Sequence, residues 1–533
     1  MKKLILLNIL FILFFNNITA QPVISRWQDN TYNPYLRYVY GNSPENHSAI
    51  QPYLLNETDS LVKFDTLNEI STKNIFLNWL LNKNVFQKKG NDYSISLNPI
   101  FEFEKSWGSD STGYINTRGF LIEGTLGKTI SFSSSFRENQ SKFSDFRDSI
   151  VKQYKVIPGF GKPKYLTKSN YDYASVEGYV GYSATKYVTV LLGNGKHFWG
   201  DGYRSLFLSD AAFSYPYLMI QARFWRIKYV NMYAQFTDLI SKNHFDFGYN
   251  RSWGTLRYLS LNATKWLNFG VFEAVVWENS DTVGHRGFDV QYLNPVIFMR
   301  PAEFSVGSPD NVLMGGSIKI TLLKKYVFYS QLILDEFNFE HVKARDGWWA
   351  NKWGYQVGLR TFDFLGIKNL DWLGEYNRVR PFTYSHWKPT QNYGHYNQPL
   401  AHILGANFSE LNGTARYNYK RFYTSARLSL SIQGLDRKII KNKKTYIENN
   451  GTDIFKSYTT REKENNNFVG QGLKNRRGSY EFTLSYLVNP WYGFTIAAGI
   501  SGFVQHNAVS SLRTDSYIFI AFKTSLRNVY NNF

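Results

Sequence analysis

From residue 93 onward the chain alternates apolar and polar positions in bursts separated by turn-forming residues. Over 93–104, Tyr93, Ile95, Leu97, Phe101 and Phe103 fall on one face and Ser94, Ser96, Asn98, Glu102 and Glu104 on the other. The same polarity returns repeatedly. Leu218, Ile220, Ala222 and Phe224 oppose Gln221 and Arg223, and Tyr355, Val357 and Leu359 oppose Gln356 and Arg360. Further on, Phe422, Ala426, Leu428, Leu430 and Ile432 oppose Ser425, Arg427, Ser429, Ser431 and Gln433, while Tyr480, Phe482, Leu484 and Tyr486 oppose Glu481, Thr483 and Ser485. Charges at inward positions are costly in a dry sandwich core and cheap in a wet lumen, so the apolar faces read as lipid-facing. Strand-plus-turn spacing allows roughly 16 to 20 such segments. Single-chain bacterial barrels close with even strand numbers, so the pattern predicts an all-β fold, one transmembrane antiparallel barrel of about 18 strands. Ile518, Ile520, Phe522 and Leu526 predict a closing strand within 516–533, ending near the terminal Phe533.

The first ninety residues do not follow this period. Lys2 and Lys3, the apolar run 4–15 and the small Ala20 predict a secretory signal over 1–20, cleaved before Gln21. The run is too short for a membrane-spanning helical anchor, and no later stretch is long enough either. Pro22, Pro34, Pro44 and Pro52 then punctuate extended segments. Leu67, Ile70, Ile75, Leu77, Trp79, Leu80 and Leu81 are spaced more like a helix, so 21–90 is expected to be an extended and helical periplasmic or plug segment preceding the barrel at 91–533. Two polar connections, 134–175 and 435–478, are long enough to be extracellular loops. The second carries Arg437, Lys438, Lys441, Lys443, Lys444, Lys456, Arg461, Lys463, Lys474, Arg476 and Arg477.

Composition agrees with export and membrane insertion. Aromatic residues make up 18% of the chain and cysteine is absent, which excludes disulfides and a lipoprotein anchor. The net charge is +20, and removal of Lys2 and Lys3 with the signal leaves +18. For an exported protein this favours outer-membrane lipid, lipopolysaccharide and acidic surface polysaccharide as partners over nucleic acid, although anionic lipid alone would balance such a surface.

Catalytic templates fail. Gly127-Lys128-Thr129 lacks its first glycine, since position 122 is Ile, and Gly193 and Gly195 are followed by Phe198 where a dinucleotide loop needs a third. The nine histidines never form H-E-x-x-H, there is no G-x-S-x-G, and no cofactor or metal is expected. The carboxylate pairs Glu102/Glu104 and Asp335/Glu336 leave a glycan hydrolase as a distant alternative, because such pairs are usually structural. Arg223, Arg360, Arg427, Tyr376, Arg378 and Arg380 suggest an inward ladder. It would serve an anion channel or acidic sugars, or it would pair with Glu102, Glu104, Glu375 and Glu481 and fill the lumen.

The stretch 193–216, GNGKHFWGDGYRSLFLSDAAFSYP, fits neither period. Its glycines read as turns that place His197, Trp199, Asp201, Tyr203 and Arg204 at a barrel mouth or in the lumen, as ligand-binding or loop-bracing groups. Gly195, His197, Trp199, Gly200, Gly202, Leu208, Ser209 and Tyr215-Pro216, with Tyr292-Leu293-Asn294-Pro295-Val296-Ile297-Phe298-Met299-Arg300 and Gly315-Gly316, resemble the Wzi-like family of outer-membrane capsule-assembly proteins, in particular its RemB-like gliding-motility branch. The resemblance implies a barrel of about 18 strands with N-terminal helices at the periplasmic mouth. It also implies an outer-membrane location in a Gram-negative bacterium and a role in holding or organising capsular polysaccharide, with adhesion or gliding, and gliding or secretion machinery, as further associations. No enzymatic activity is implied. A passive or anion-selective channel is the alternative.

Overall fold

The computed structural model describes residues 23–24, 36–42, 46–55, 70–108, 112–240, 248–280, 284–297, 310–441, 444–509, 512–524 and 530. The expected signal over 1–20 lies outside them. Eighteen antiparallel strands close into one barrel. In chain order they are β1 (Tyr93–Gly108), β2 (Thr112–Leu126), β3 (Ile130–Lys142), β4 (Asn170–Ser183), β5 (Val188–Gly195), β6 (Tyr215–Phe224), β7 (Ile227–Asp238), β8 (Asn250–Asn262) and β9 (Leu267–Glu278). They continue as β10 (Asn311–Leu322), β11 (Tyr326–Glu336), β12 (Lys352–Thr361), β13 (Leu370–Val379), β14 (Phe408–Tyr419), β15 (Phe422–Leu435), β16 (Leu473–Asn489), β17 (Phe494–Asn507) and β18 (Arg513–Lys523). Among the described residues no helix is long and apolar enough to cross a membrane.

The alternation does what the sequence pattern implies. In β15, Leu428 and Leu430 are about half exposed on the outer wall, at 52% and 48%, while Ser429 and Gln433 are buried inside. Every second connection is short, as between β6 and β7 or β14 and β15, and most of the others are long. The tight turns and the N-terminal helix α1 (Ile75–Asn82) share one end of the barrel. Asn74 caps α1 by accepting from the backbone N–H of Phe76 and Leu77. Asn489, the last residue of β16, donates to the carbonyls of Leu80 and Lys83, and Arg421 donates to Asn82. This docking leaves Ile75, Phe76 and Trp79 exposed at the barrel rim.

Closure departs from expectation. β18 pairs with the far half of β1, from Tyr517 opposite Gly108 to Lys523 opposite Glu102, and the strand ends there. The hairpin strand Phe86–Lys89 pairs with the near part of the same edge of β1, from Leu97 to Ser94, so most of that edge is covered. The closing strand therefore does not run to the C-terminus. Tyr530 is buried in the lumen, bonded to Asp210 at 2.6 Å, while Leu526 and Phe533 lie outside the described residues. Of the two long loops, the first is shorter than 134–175, because β3 extends to Lys142 and β4 begins at Asn170. It holds α2 (Asp145–Tyr154), whose Phe146 stacks on Phe503 of β17. The second contains a hairpin, Arg437–Lys441 against Lys444–Glu448.

Candidate functional site

After Gly195 the chain leaves the barrel wall and folds into the lumen as a strap, returning at Tyr215. It is met there by the N-terminal segment. Phe198–Trp199 pairs antiparallel with Ile50–Gln51, the Gly200 N–H donates to the Ala49 carbonyl, and Ser48 donates to Asp201 at 2.6 Å. Lys319, inside β10, donates in turn to Ser48 at 2.6 Å. Beyond that short pairing, the strap's backbone groups are bonded by lumen side chains. Glu375 accepts the Tyr203 and Arg204 N–H groups at 2.8 and 3.2 Å. Gln331 accepts from Leu206 N–H and donates to the Trp199 carbonyl, while Gln356 donates to the Arg204 carbonyl. Tyr384 and Tyr393, from the β13–β14 connection, donate to the carbonyls of Leu206 and Phe207.

The five strap residues singled out by the sequence are all buried and engaged by the protein itself. Trp199 sits against Tyr258 and Phe272. Asp201 holds Ser48, and its carbonyl accepts from Arg360 at 3.1 Å. Tyr203 lies under the Arg427 guanidinium at 4.5 Å. Arg204 pairs with Glu410 at 3.2 Å, each side chain 2% exposed, and Glu410 also contacts His402 at 2.7 Å. His197 packs edge-on to Tyr217 and contacts the Tyr215 hydroxyl, and burial pushes its imidazole down to about 3. Two glycines mark where side chains have no room. A Cβ on Gly202 would stand 2.1 Å from a Glu375 oxygen, and one on Gly315 would stand 2.4 Å from the Phe207 ring.

The arginine ladder is only partly formed. Leu373, Glu375, Asn377 and Val379 take the buried parity of β13, so Tyr376 and Arg378 point outward, against the expectation, and Tyr376 instead meets Tyr355 of the outer wall. The cause is the strap, whose N–H groups require Glu375 on the inner face. Arg380 lies past the strand end and donates to the Trp348 carbonyl. Arg223, Arg360 and Arg427 face inward, but β6, β12 and β15 are not neighbours, and Arg223 is exposed near the tight-turn mouth. The partners anticipated for them are also divided: Glu481 lies 3.7 Å from Arg427, whereas Glu375 serves the strap. Of the carboxylate pairs, Asp335 and Glu336 are spanned by Lys352 at 2.9 and 3.2 Å. Among the described residues no cluster of three or more acidic or histidine side chains could hold a metal.

One feature of the outer wall was not anticipated. Arg257 of β8 and Glu273 of β9 are register partners on the lipid-facing parity, paired at 3.1 Å and fully buried. The β9–β10 connection folds down over them. Arg257 donates to the carbonyls of Tyr292 and Asn294 and to Asn231, while Tyr229 and Tyr233 donate to the carbonyls of Pro295 and Leu293. The conspicuous Tyr-Leu-Asn-Pro stretch is thus an external cover for an ion pair, although positions 298–300 lie outside the described residues. The readable signal was Asn231, Arg257 and Glu273 standing at positions where alternation demands lipid contact.

Above the strap, at the long-loop mouth, lies a cavity of about 450 Å³, within the range of small-molecule sites. The strap's Ala211, Ile403 and Leu404 form part of its lining, with Tyr154 and Phe455 at its sides. Its polar lining includes Gln398, Gln433, Gln505, Arg477 and Arg513.

A closed barrel with its lumen occupied by its own chain and a lined cavity at one mouth defines the class: an occluded barrel of the outer-membrane type. Among solved structures, the chain is similar to Wzi of Escherichia coli, described as an outer-membrane protein involved in group 1 capsule assembly and a carbohydrate-binding β-barrel. The TM-score is 0.53 at 13% identity, covering 94% of this chain and 99% of that one, a likeness of fold. Weaker likenesses are to OprD of Pseudomonas aeruginosa (TM-score 0.41, 10% identity, 80% of this chain and 94% of that one) and OccAB2 of Acinetobacter baumannii (0.41, 12%, 81% and 99%). No family model and no curated protein sequence matches the chain.

Proposed function

We propose that this protein is a non-enzymatic outer-membrane barrel of a Gram-negative bacterium that binds or organises capsular or other surface polysaccharide. The observation that carries the reading is the placement of the cavity: apolar and aromatic surface beside amide and guanidinium groups, open at the long-loop mouth, above a lumen packed with the strap. Sugars are recognised by stacking on aromatic faces and by planar hydrogen-bonding groups, and both are present there. The carbohydrate-binding description of Wzi, whose fold is shared, supports the same direction.

Lipopolysaccharide around the barrel and gliding or secretion proteins at its mouths belong to this proposal as partners, as does a contribution to adhesion or gliding. Deleting the gene and measuring cell-retained polysaccharide tests the main reading, and colony spreading tests the motility arm. Unchanged retention sinks the first and unchanged spreading the second. The packed lumen argues against a passive or anion-selective channel, and planar-bilayer recordings with steady open conductance would reinstate one.

A further inference from the structure

The cavity at the long-loop mouth carries a specific charge pattern. Register places Ser431 of β15, Arg477 of β16, Gln505 of β17 and Arg513 of β18 in one row across four adjacent strands. All four stand on the inward parity of their strands, and the last three line the cavity. Adjacent strands are about 4.8 Å apart, so the two arginines leave the wall roughly 10 Å apart with an amide between them.

Their circumstances differ from those of the other lumen cations. Arg204 and Arg427 face carboxylates, and Arg360 is bonded to the strap. Arg477 makes no hydrogen bond or ion pair among the described residues, and its Nε is fully enclosed. Arg513 donates only to neutral oxygens, Ser149 Oγ at 3.3 Å and the Asp145 carbonyl at 2.9 Å. The remaining charges in the lining are Lys456, Asp436 and Asp453, of which Lys456 and Asp436 are bonded to each other. Asp515, inward on β18 below Arg513, accepts from the Phe146 N–H. An enclosed guanidinium without an acceptor is costly, and a planar carboxylate satisfies it with two parallel bonds.

We infer that this cavity binds a carboxylate-bearing sugar residue of a surface glycan, its carboxylate on Arg477 with Arg513 adding charge. The ring packs toward Phe455 and Tyr154, and its hydroxyls meet Gln398, Gln433 and Gln505. The inference rests on the glycan-binding reading above and narrows it to uronate-type chemistry at one place.

The test uses the full-length barrel in detergent, with oligogalacturonate, its carboxyl-reduced neutral counterpart and polysaccharide extracted from the cell surface as probes in calorimetry. Wild type is expected to bind oligogalacturonate at least tenfold more tightly than the neutral oligomer, with affinity falling as salt rises. Arg477→Gln should lose at least tenfold, while Arg223→Gln, at the opposite mouth, should bind as wild type. Heat-modifiable gel mobility verifies that each variant is folded, and Arg513→Gln provides a second variant should Arg477→Gln not fold. If oligogalacturonate binds no better than the neutral oligomer, or if the folded arginine variants bind it as wild type does, the uronate site is wrong while glycan binding stands. If wild type binds neither oligomer nor the extracted polysaccharide, both readings fall.

Discussion

Replacing Glu410 with alanine should release the strap without opening the barrel. Glu410 sits on the inner face of β14, 2% exposed, and receives Arg204 at 3.2 Å, His402 at 2.7 Å and Asn412 at 2.7 Å. Truncation removes the carboxylate that the buried Arg204 guanidinium meets at 3.2 Å, and removing one partner of such a pair costs about 3–5 kcal/mol. The cost falls on the conformation that buries the pair, which is the lodged strap. The Tyr203 and Arg204 amides, bonded to Glu375, report it directly. At 1.4 kcal/mol per tenfold change, their hydrogen exchange should accelerate roughly 150- to 4,000-fold. Hydrogen–deuterium exchange read by mass spectrometry on a peptide spanning 198–210 measures this, with peptides from β1–β3 as unmoved controls. A Glu410→Leu/Arg204→Met double variant removes both charges and should recover most of the protection, because an apolar pair of similar volume is often no worse than a buried ion pair. If Glu410→Ala leaves exchange unchanged, or if the double variant exchanges as fast as the single one, the pair does not hold the strap.

Gly202→Val should loosen the same peptide, since its first added carbon would stand 2.1 Å from Glu375, and bilayer conductance should rise while gel mobility stays barrel-like. Acid should act in the same direction. Burial holds His197, His386 and His395 down at about 3, so all three are neutral in the native state. Above their ordinary value of about 6.5 neither state takes up a proton; below it only the released state does, and each costs about 1.4 kcal/mol per pH unit until the native value is reached. Releasing His197 alone should become easier by about 2 kcal/mol at pH 5, and strap exchange, corrected for intrinsic rate, that is the same at pH 7 and pH 5 contradicts this. Arg360→Ala should speed strap exchange, because it removes the bond to the Asp201 carbonyl, whereas Arg378→Ala on the outer wall should not; the reverse order would mean that the β13 register is wrong. Glu273→Ala should cost about 3–5 kcal/mol in urea unfolding in lipid, since Arg257 then faces the covering loop unpaired, and an unchanged midpoint would refute that burial.

The barrel was legible in the sequence because its cause is local. A residue's neighbours two places away report its face, and Leu428 and Leu430 against Ser429 and Gln433 needed no knowledge of any other strand. The strap was legible only as an exception. Its glycines and aromatics broke both periods, but what receives them comes from positions about two hundred residues later, as with Arg204 and Glu410, and that pairing exists only once the barrel has closed. The misplaced arginines show the same limit from the other side. Arg378 follows Tyr376 by two and reads as part of an inward row, yet the inner parity of β13 is set by Glu375, whose role depends on a segment from another part of the chain. The closing strand was placed too long for a different reason, because alternation in β18 gives no signal that it ends at Lys523. Arg257 and Glu273 were readable as polar residues at lipid-facing positions, but their loop cover was not.

These placements bear on where ligand chemistry belongs. The strap residues were candidates because they combine a histidine, a tryptophan, a tyrosine and two charges, which is also the composition of a binding site. In the barrel each of them meets protein: Asp201 with Ser48, Arg204 with Glu410, Trp199 with Tyr258 and Phe272. A ligand competing for them would have to replace bonds already made in a low-dielectric interior, so it gains little. Arg477 is the contrasting case, a cation in a cavity lining with no acceptor among the described residues. Binding energy is available where a group's partner is missing, and this is why the proposed glycan site lies at the long-loop mouth, with the strap's Ala211 in its lining.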